Sequence, residues 1–261
     1  MNLNTKGLLV GNYMSDYPIS VKPDVSLSDA IDFMADSRFA TLIVMEEESP
    51  TPMGILTERE IVHHVAVGEK IEGKKVRDIQ LRQYVTVTPD TSVVEAARLM
   101  ISAKSRILVF ADGDKLVGTI TASDMLKAFG ETKKSPGLEN VISKKVYHCP
   151  YDTTILDAAK LLDEKNIGSI LVENETGFGI FTQRDLVRAI SKGVSMTEKV
   201  GRYSSFPLVT ARRGIMANEA ASIMATNNIK RLGLAENDSI VGIVTARDVV
   251  DAYQAEAHWD V

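Results

Sequence analysis

Four short segments of the chain share the order Gly-x-x-Thr-x-x-acid: GILTERE at 54–60, GTITASD at 118–124, GIFTQRD at 179–185 and GIVTARD at 242–248. These residue types can do two kinds of chemistry. A threonine that opens a helix can cap it, and an acid three residues later can complete a capping box. The same helix start offers unpaired amide protons and the positive end of a dipole, which suits a phosphate. The acid can instead accept hydrogen bonds from the two hydroxyls of a ribose, as an acid does in another nucleotide-binding fold. From the residues alone capping is the plainer use, because Ser/Thr-x-x-Asp/Glu is common ahead of apolar helices. The residues concerned are Thr121 and Asp124, Thr182 and Asp185, Thr245 and Asp248, and more weakly Thr57 and Glu60. Ser123, just before its acid, is a further candidate to meet a phosphate. Glu60 departs from the other three. Its extra methylene is expected to push the carboxylate outward by ~1.5 Å, leaving that site weak or empty.

A phosphate also needs positive charge. Fifteen residues before its motif threonine, the second copy has Arg106 and the fourth has Lys230, followed by Arg231. The equivalent positions in the first and third copies are Ala40 and Gly168. Arginine forks grip phosphate oxygens in pairs, while lysine acts as a point charge. The alternative is a solvated charge at a strand start. Arg59, Arg184 and Arg247 directly precede the acid and are expected on the helix surface. An adenine would need an apolar slot beside a first strand, for which Ile19, Val85, His148 and Leu208 are the candidates. A plain strand role serves those four equally well.

The elements that hold these residues repeat with them. The motif glycines at 54, 118, 179 and 242 lie 64, 61 and 63 residues apart. In the second copy Tyr84 to Val87 reads as a strand, and Pro89-Asp90 as a turn. Val93, Ala96, Ala97 and Met100 then mark one face of a helix. Ile155, Ala158, Ala159 and Leu162 repeat that face in the third copy, and Leu27, Ala30, Ile31 and Met34 in the first. A buried strand at 107–110 and a further strand to Ile120 precede the helix opened by Thr121. The order is β-α-β-β-α, an α/β (α+β) fold in four copies at 8–67, 74–130, 138–192 and 197–255. Units of ~60 residues hide too little surface to stand alone, so they are expected to pair. The polar stretch GETKKSPG at 130–137 is the best break, giving modules 1–132 and 133–261.

With its lead-ins at Val10–Met14, Val76–Ile79 and Val200–Tyr203, this pattern resembles the CBS domain over nearly the whole chain. The layout is similar to the gamma subunit of AMP-activated protein kinase and to stand-alone archaeal CBS proteins. The resemblance implies two Bateman modules with clefts between paired domains that take AMP, ADP or ATP, or S-adenosylmethionine. It also implies that Asp124, Asp185 and Asp248 bind ribose and that their threonines lie by the phosphate. Lys230-Arg231 resembles the phosphate-contacting dipeptide of the kinase subunit; the second copy matches it only at Arg106, since Ile107 follows. The implied function is regulatory energy sensing, with no catalytic cofactor. A structural or protein-interaction module with degenerate clefts is the alternative.

Composition fits this reading. Hydrophobic residues make up 44 % and charged residues 25 %, with a formal net charge of −5, so no basic footprint for nucleic acid is present. No apolar run reaches the ~18 residues of a membrane span, and no signal peptide is evident. Cys149 is the lone cysteine, which excludes an intrachain disulfide. A cytoplasmic protein is expected, with a protein partner (kinase, transporter or enzyme) and with homodimer formation left open. His63 and His64 should face different ways, as should His148 and Cys149. No catalytic constellation stands out. Trp259 sits in a tail expected to fray.

Overall fold

The computed structural model describes residues 7–37, 39–113, 115–143, 145–237 and 239–256. Copy one runs β1 (Ser20–Val21), α1 (Leu27–Asp36), β2 (Thr41–Val44), β3 (Gly54–Thr57) and α2 (Glu58–Ala66). Copy two has β4 (Tyr84–Val87), α3 (Val93–Ala103), β5 (Arg106–Ala111), β6 (Lys115–Ile120) and α4 (Ala122–Gly130). Copy three has β7 (His148–Pro150), α5 (Ile155–Glu164), β8 (Ser169–Asn174), β9 (Gly177–Thr182) and α6 (Gln183–Ser191). Copy four has β10 (Thr210–Arg212), α7 (Ala217–Thr226), β11 (Arg231–Glu236), β12 (Ser239–Thr245) and α8 (Ala246–Glu256). Trp259 lies outside the described residues.

Each copy thus folds as β-α-β-β-α, as its sequence predicts. The helix faces read from periodicity are the buried ones: Val93, Ala96, Ala97 and Met100 are at most 2 % exposed. The first helix of copies one to three begins where a hydroxyl can cap it. Ser26, Ser92 and Thr154 accept the amides of Asp29, Glu95 and Asp157 at 3.0–3.1 Å, supplying partners for otherwise orphaned donors. Each copy makes its own three-stranded sheet, with the first strand parallel to the second and the third antiparallel to it. The helix between the first two strands is the crossover that a parallel pair requires.

The lead-ins do not stay with their own copies. Val10–Asn12, Val76–Asp78 and Val200–Tyr203 are 3-10 turns whose valines are fully buried. Ser15 exchanges backbone hydrogen bonds with Thr119 of β6, Arg82 with Ile55 of β3, Ser143 with Ile243 of β12 and Ser205 with Ile180 of β9, all at 2.9–3.1 Å. Copies one and two therefore trade lead-ins, and so do copies three and four. The exchange gives the motif glycine its own reason. A Cβ at Gly118 would stand 2.6 Å from the Ser15 carbonyl oxygen, and one at Gly179 would stand 2.7 Å from that of Ser205. The glycine leaves room for the traded strand, independently of any ligand.

The contacts divide the chain into two compact units. One, the even unit, holds the chain up to Pro18, Tyr84–Val146 and the chain from Val209. Within it α3 and α4 pack on α8, and Phe129 stacks on Tyr253 with ring centroids 4.9 Å apart. The odd unit holds Ile19–Gln83 and Tyr147–Leu208, with α2 on α5 and α6, and α1 on α6. Helix packing thus joins alternate copies, while the lead-in exchange joins the neighbours in sequence, one with two and three with four. Sequence order shows which copies are adjacent, not which helix faces meet.

Two arginines expected on helix surfaces tie these alternate copies together instead. Arg184 of copy three donates from Nε to Glu58 Oε1 at 2.9 Å and from Nη1 to the Ser37 carbonyl at 3.4 Å, both in copy one. Arg247 of copy four donates from Nη2 to the Met100 carbonyl of copy two.

Candidate functional site

Strand register gathers the candidate residues at one end of each sheet. In copy four Arg231 lies opposite Thr245. In copy two Tyr84 pairs with Arg106, and Ile107 with Ile120, so Thr121 follows beside Arg106. The start of the second strand and the cap of the last helix therefore meet in every copy, and in copy two the first strand starts beside them.

The register also corrects two alignments. Arg106 corresponds to Arg231, and Lys230 to Ser105. Three residues separate β5 from β6, whereas two separate β11 from β12, so a fixed count of fifteen slips by one. Thr41 and Ser169 take the arginine position in copies one and three, opposite Thr57 and Thr182. Along the first strands, Val85 and Ile19 correspond to Tyr147 and Val209, all four partly buried against the core. His148 stands one residue late and Leu208 one residue early, which puts them on the opposite face. His148 is exposed, edge-on to Phe178 and 3.6 Å from Glu173.

At all four junctions the acid folds back to accept the amide and the hydroxyl of the threonine that precedes the helix. The backbone amide and the hydroxyl of Thr121 donate to Asp124 Oδ2 at 3.0 and 2.7 Å. The corresponding distances are 2.9 and 2.6 Å for Thr182 to Asp185, and 2.7 and 2.8 Å for Thr245 to Asp248. One carboxylate oxygen receives both bonds. The other differs between copies. Asp124 Oδ1 takes Lys127 at 3.3 Å, while Asp185 and Asp248 make no ion pair among the described residues. Burial lifts the pKa of both Asp185 and Asp248, against the lowering effect of their threonine bonds. These are carboxylates held in surroundings that disfavour their charge.

Glu60 behaves differently from its sequence expectation. It folds back rather than outward, is 9 % exposed, and caps Thr57 through Oε2. Its Oε1 takes Arg82 Nε at 2.9 Å. The longer side chain is what lets it reach both partners. The pair borders a cavity of about 580 Å³ shared with Arg59, His63, Lys74 and Asp163, where opposite charges are already matched. Arg82→Ala would strand a buried carboxylate, and chemical denaturation should show a loss of about 2 kcal/mol. Unchanged stability would mean that the ion pair is idle.

Of the cations, Arg106 and Arg231 are half-buried and Lys230 is exposed; Ser123 is half-buried. His63 faces Asp163 at 3.0 Å, whereas His64 is buried and meets the Lys70 carbonyl at 2.9 Å. Cys149 is buried, and burial raises its thiol pKa. No group of three metal-ligating side chains occurs among the described residues, and no helix among them is long and apolar enough to cross a membrane. Sequence reasoning missed Arg82 and Glu58. Glu58 lies 126 positions from its partner Arg184, and no local pattern announces such a contact.

The CBS domain family matches residues 10–67, 76–131, 138–192 and 200–255. The chain belongs to the CBS-domain family. An uncharacterized protein of Methanocaldococcus jannaschii is 24 % identical to this CBS protein over 261 aligned residues, 92 % of the chain and 61 % of that relative. A second M. jannaschii protein is 25 % identical over 191 aligned residues, 66 % of the chain and 68 % of the relative. The chain thus spans about three fifths to two thirds of the length of these relatives. The crystal structure of the second, put forward as an archaeal homolog of g-AMPK, superposes with a TM-score of 0.81 at 19 % identity, covering 94 % of this CBS chain and all of that one. A Pyrococcus horikoshii protein superposes with a TM-score of 0.64 at 19 % identity, over 94 % of this chain and 99 % of its own. At these identities the likeness is one of fold.

Proposed function

We propose that this chain is a non-catalytic regulatory sensor that binds adenosyl ligands at the junctions of copies two, three and four, with AMP, ADP or ATP taken by copies two and four and copy one weak or empty. The observation that carries the reading is the state of Asp185 and Asp248. Each is held at a helix start with its Oδ2 engaged and its Oδ1 outside the capping box. An oxygen so placed suits a ribose diol, and the helix N-terminus beside it suits a phosphate. Arg106, Lys230 and Arg231 add positive charge in copies two and four. Family membership and the fold shared with a proposed g-AMPK homolog support the same reading. A bound nucleotide regulates a partner, whether a kinase, a transporter or an enzyme, only if it binds two states of the protein unequally. A cytoplasmic setting and a homodimer fit this role.

A second reading, a structural or interaction module with degenerate sites, is favoured by two observations. Glu60 is already neutralised by Arg82, and copies one and three lack a cation at the arginine position. S-adenosylmethionine, which carries no phosphate, suits those plainer copies better than a nucleotide does. Calorimetric titration of the whole chain separates the readings. The sensor gives saturable heat with AMP, ADP or ATP and no nucleotide turnover. At a hundredfold excess over Kd it gains about 2.7 kcal/mol in stability. No heat and no thermal shift with any of them would leave only the structural reading.

A further inference from the structure

The charges at the junctions divide by unit. Arg106, Lys230 and Arg231 all belong to the even unit, while Ala40, Thr41, Gly168 and Ser169 stand at those positions in the odd unit. The odd unit carries instead an acid at the first residue of α2. Glu58 has uncharged counterparts in the other copies: Ala122, Gln183 and Ala246. Its carboxylate receives Arg184 Nε at 2.9 Å, and the two side chains are 15 % and 25 % exposed. Arg184 immediately precedes Asp185, so the one arginine at the start of α6 has its charge offset by Glu58.

We infer that the junction of copy three accepts an adenosyl ligand without a phosphate, and that Glu58 is the residue that rejects phosphate there. This rests on the proposed reading of the junctions as adenosyl sites. A phosphate beside the start of α6 would meet the Asp185 carboxylate and an Arg184–Glu58 pair of no net charge, with no cation at the arginine position. The phosphate and Asp185 would carry like charges in a half-buried setting, where solvent screens their repulsion less than at the surface. Glu58 also contributes to the raised pKa of Asp185, after the larger effect of burial. Arg188, the other basic residue near Asp185, is exposed on α6 one turn further on. Among the described residues Arg184 Nη2 is buried without an acceptor. It can give one hydrogen bond to a neutral ligand oxygen, but the charge of its guanidinium is already balanced. The even unit has no acid equivalent to Glu58 and keeps its three cations, so a phosphate is accepted there.

The test compares adenosine with AMP, which differ only in the phosphate, by calorimetry on the full chain. Asp124→Ala with Asp248→Ala leaves copy three as the one junction with an aspartate. In that background adenosine should bind, and AMP should bind at least about tenfold more weakly. Adding Glu58→Gln, which keeps a hydrogen-bond acceptor for Arg184, should bring AMP to within about threefold of adenosine. Glu58→Ala, the residue that copies two and four carry there, should do the same if the glutamine variant folds poorly. AMP binding as tightly as adenosine in the double variant, or a ratio unmoved by either substitution, overturns the inference. So does loss of adenosine binding in the double variant when the parent chain binds nucleotide. A parent chain that binds neither compound instead defeats the underlying reading of the junctions.

Discussion

Replacing Asp248 with asparagine is expected to abolish nucleotide binding at copy four while leaving the protein at least as stable at pH 7 as the parent. The amide oxygen of asparagine can accept the same two bonds from Thr245 that Oδ2 accepts at 2.7 and 2.8 Å. The capping box therefore survives. What disappears is the charge. Burial raises the folded-state pKa of Asp248 above its ordinary 3.8. A raised pKa means that the stabilising contribution is complete below the unfolded pKa and is lost as pH rises through the folded one. At neutral pH the ionised side chain is thus a burden on the fold that asparagine lacks. Ribose hydroxyls, by contrast, bind a carboxylate through charge-assisted bonds worth about 1.5–3 kcal/mol each. Losing two should weaken binding by more than about a hundredfold. Calorimetry and thermal melts at pH 7 and pH 5 read both effects. A melting point lowered by several degrees, with binding intact, would show that Asp248 serves only the helix. A carboxylate retained against stability is a mark of function.

Gly118→Ala and Gly179→Ala should be among the most damaging methyl additions in the chain, each costing about 3 kcal/mol. The new Cβ would meet backbone rather than a yielding side chain. It would lie 2.6 Å from the Ser15 carbonyl in one case, and 2.7 Å from both the Ser205 carbonyl and the Phe206 ring in the other. Relief requires moving the traded lead-in, which would break its paired backbone bonds and unseat Val10 or Val200 from the core. Gly242→Ala should be milder, because its nearest contact is 3.2 Å from the Ser143 carbonyl. Gly130→Ala, at the end of α4 with nothing within 4 Å, should be neutral or stabilising by about 0.5–1 kcal/mol. Urea melts of the four variants give the ranking. Equal losses at Gly118 and Gly130 would show that the lead-in exchange does not constrain the glycine.

Much of this was legible in the sequence, and the parts that were not share a cause. The stripe Val93, Ala96, Ala97 and Met100 fixes a helix face because periodicity is local. Thr121 and Asp124 announce a helix start because capping is local too. The glycine of each motif was visible but its reason was not, because Gly118 answers to Ser15 about a hundred residues away. The equivalence of Arg106 with Arg231 was hidden by a hairpin one residue longer in copy two. The match of Glu58 with Arg184, and the joining of alternate copies by their helices, depend on which surfaces meet. Four nearly identical patterns cannot tell their own partners apart.

The most direct measurement is a crystal structure of the protein grown with AMP. Its ribose diol should lie on Asp248 Oδ1 while Oδ2 stays on Thr245, with the phosphate at the start of α8 beside Arg231. Density for AMP elsewhere, or Asp248 turned wholly onto its own helix beside a filled junction, would contradict the account.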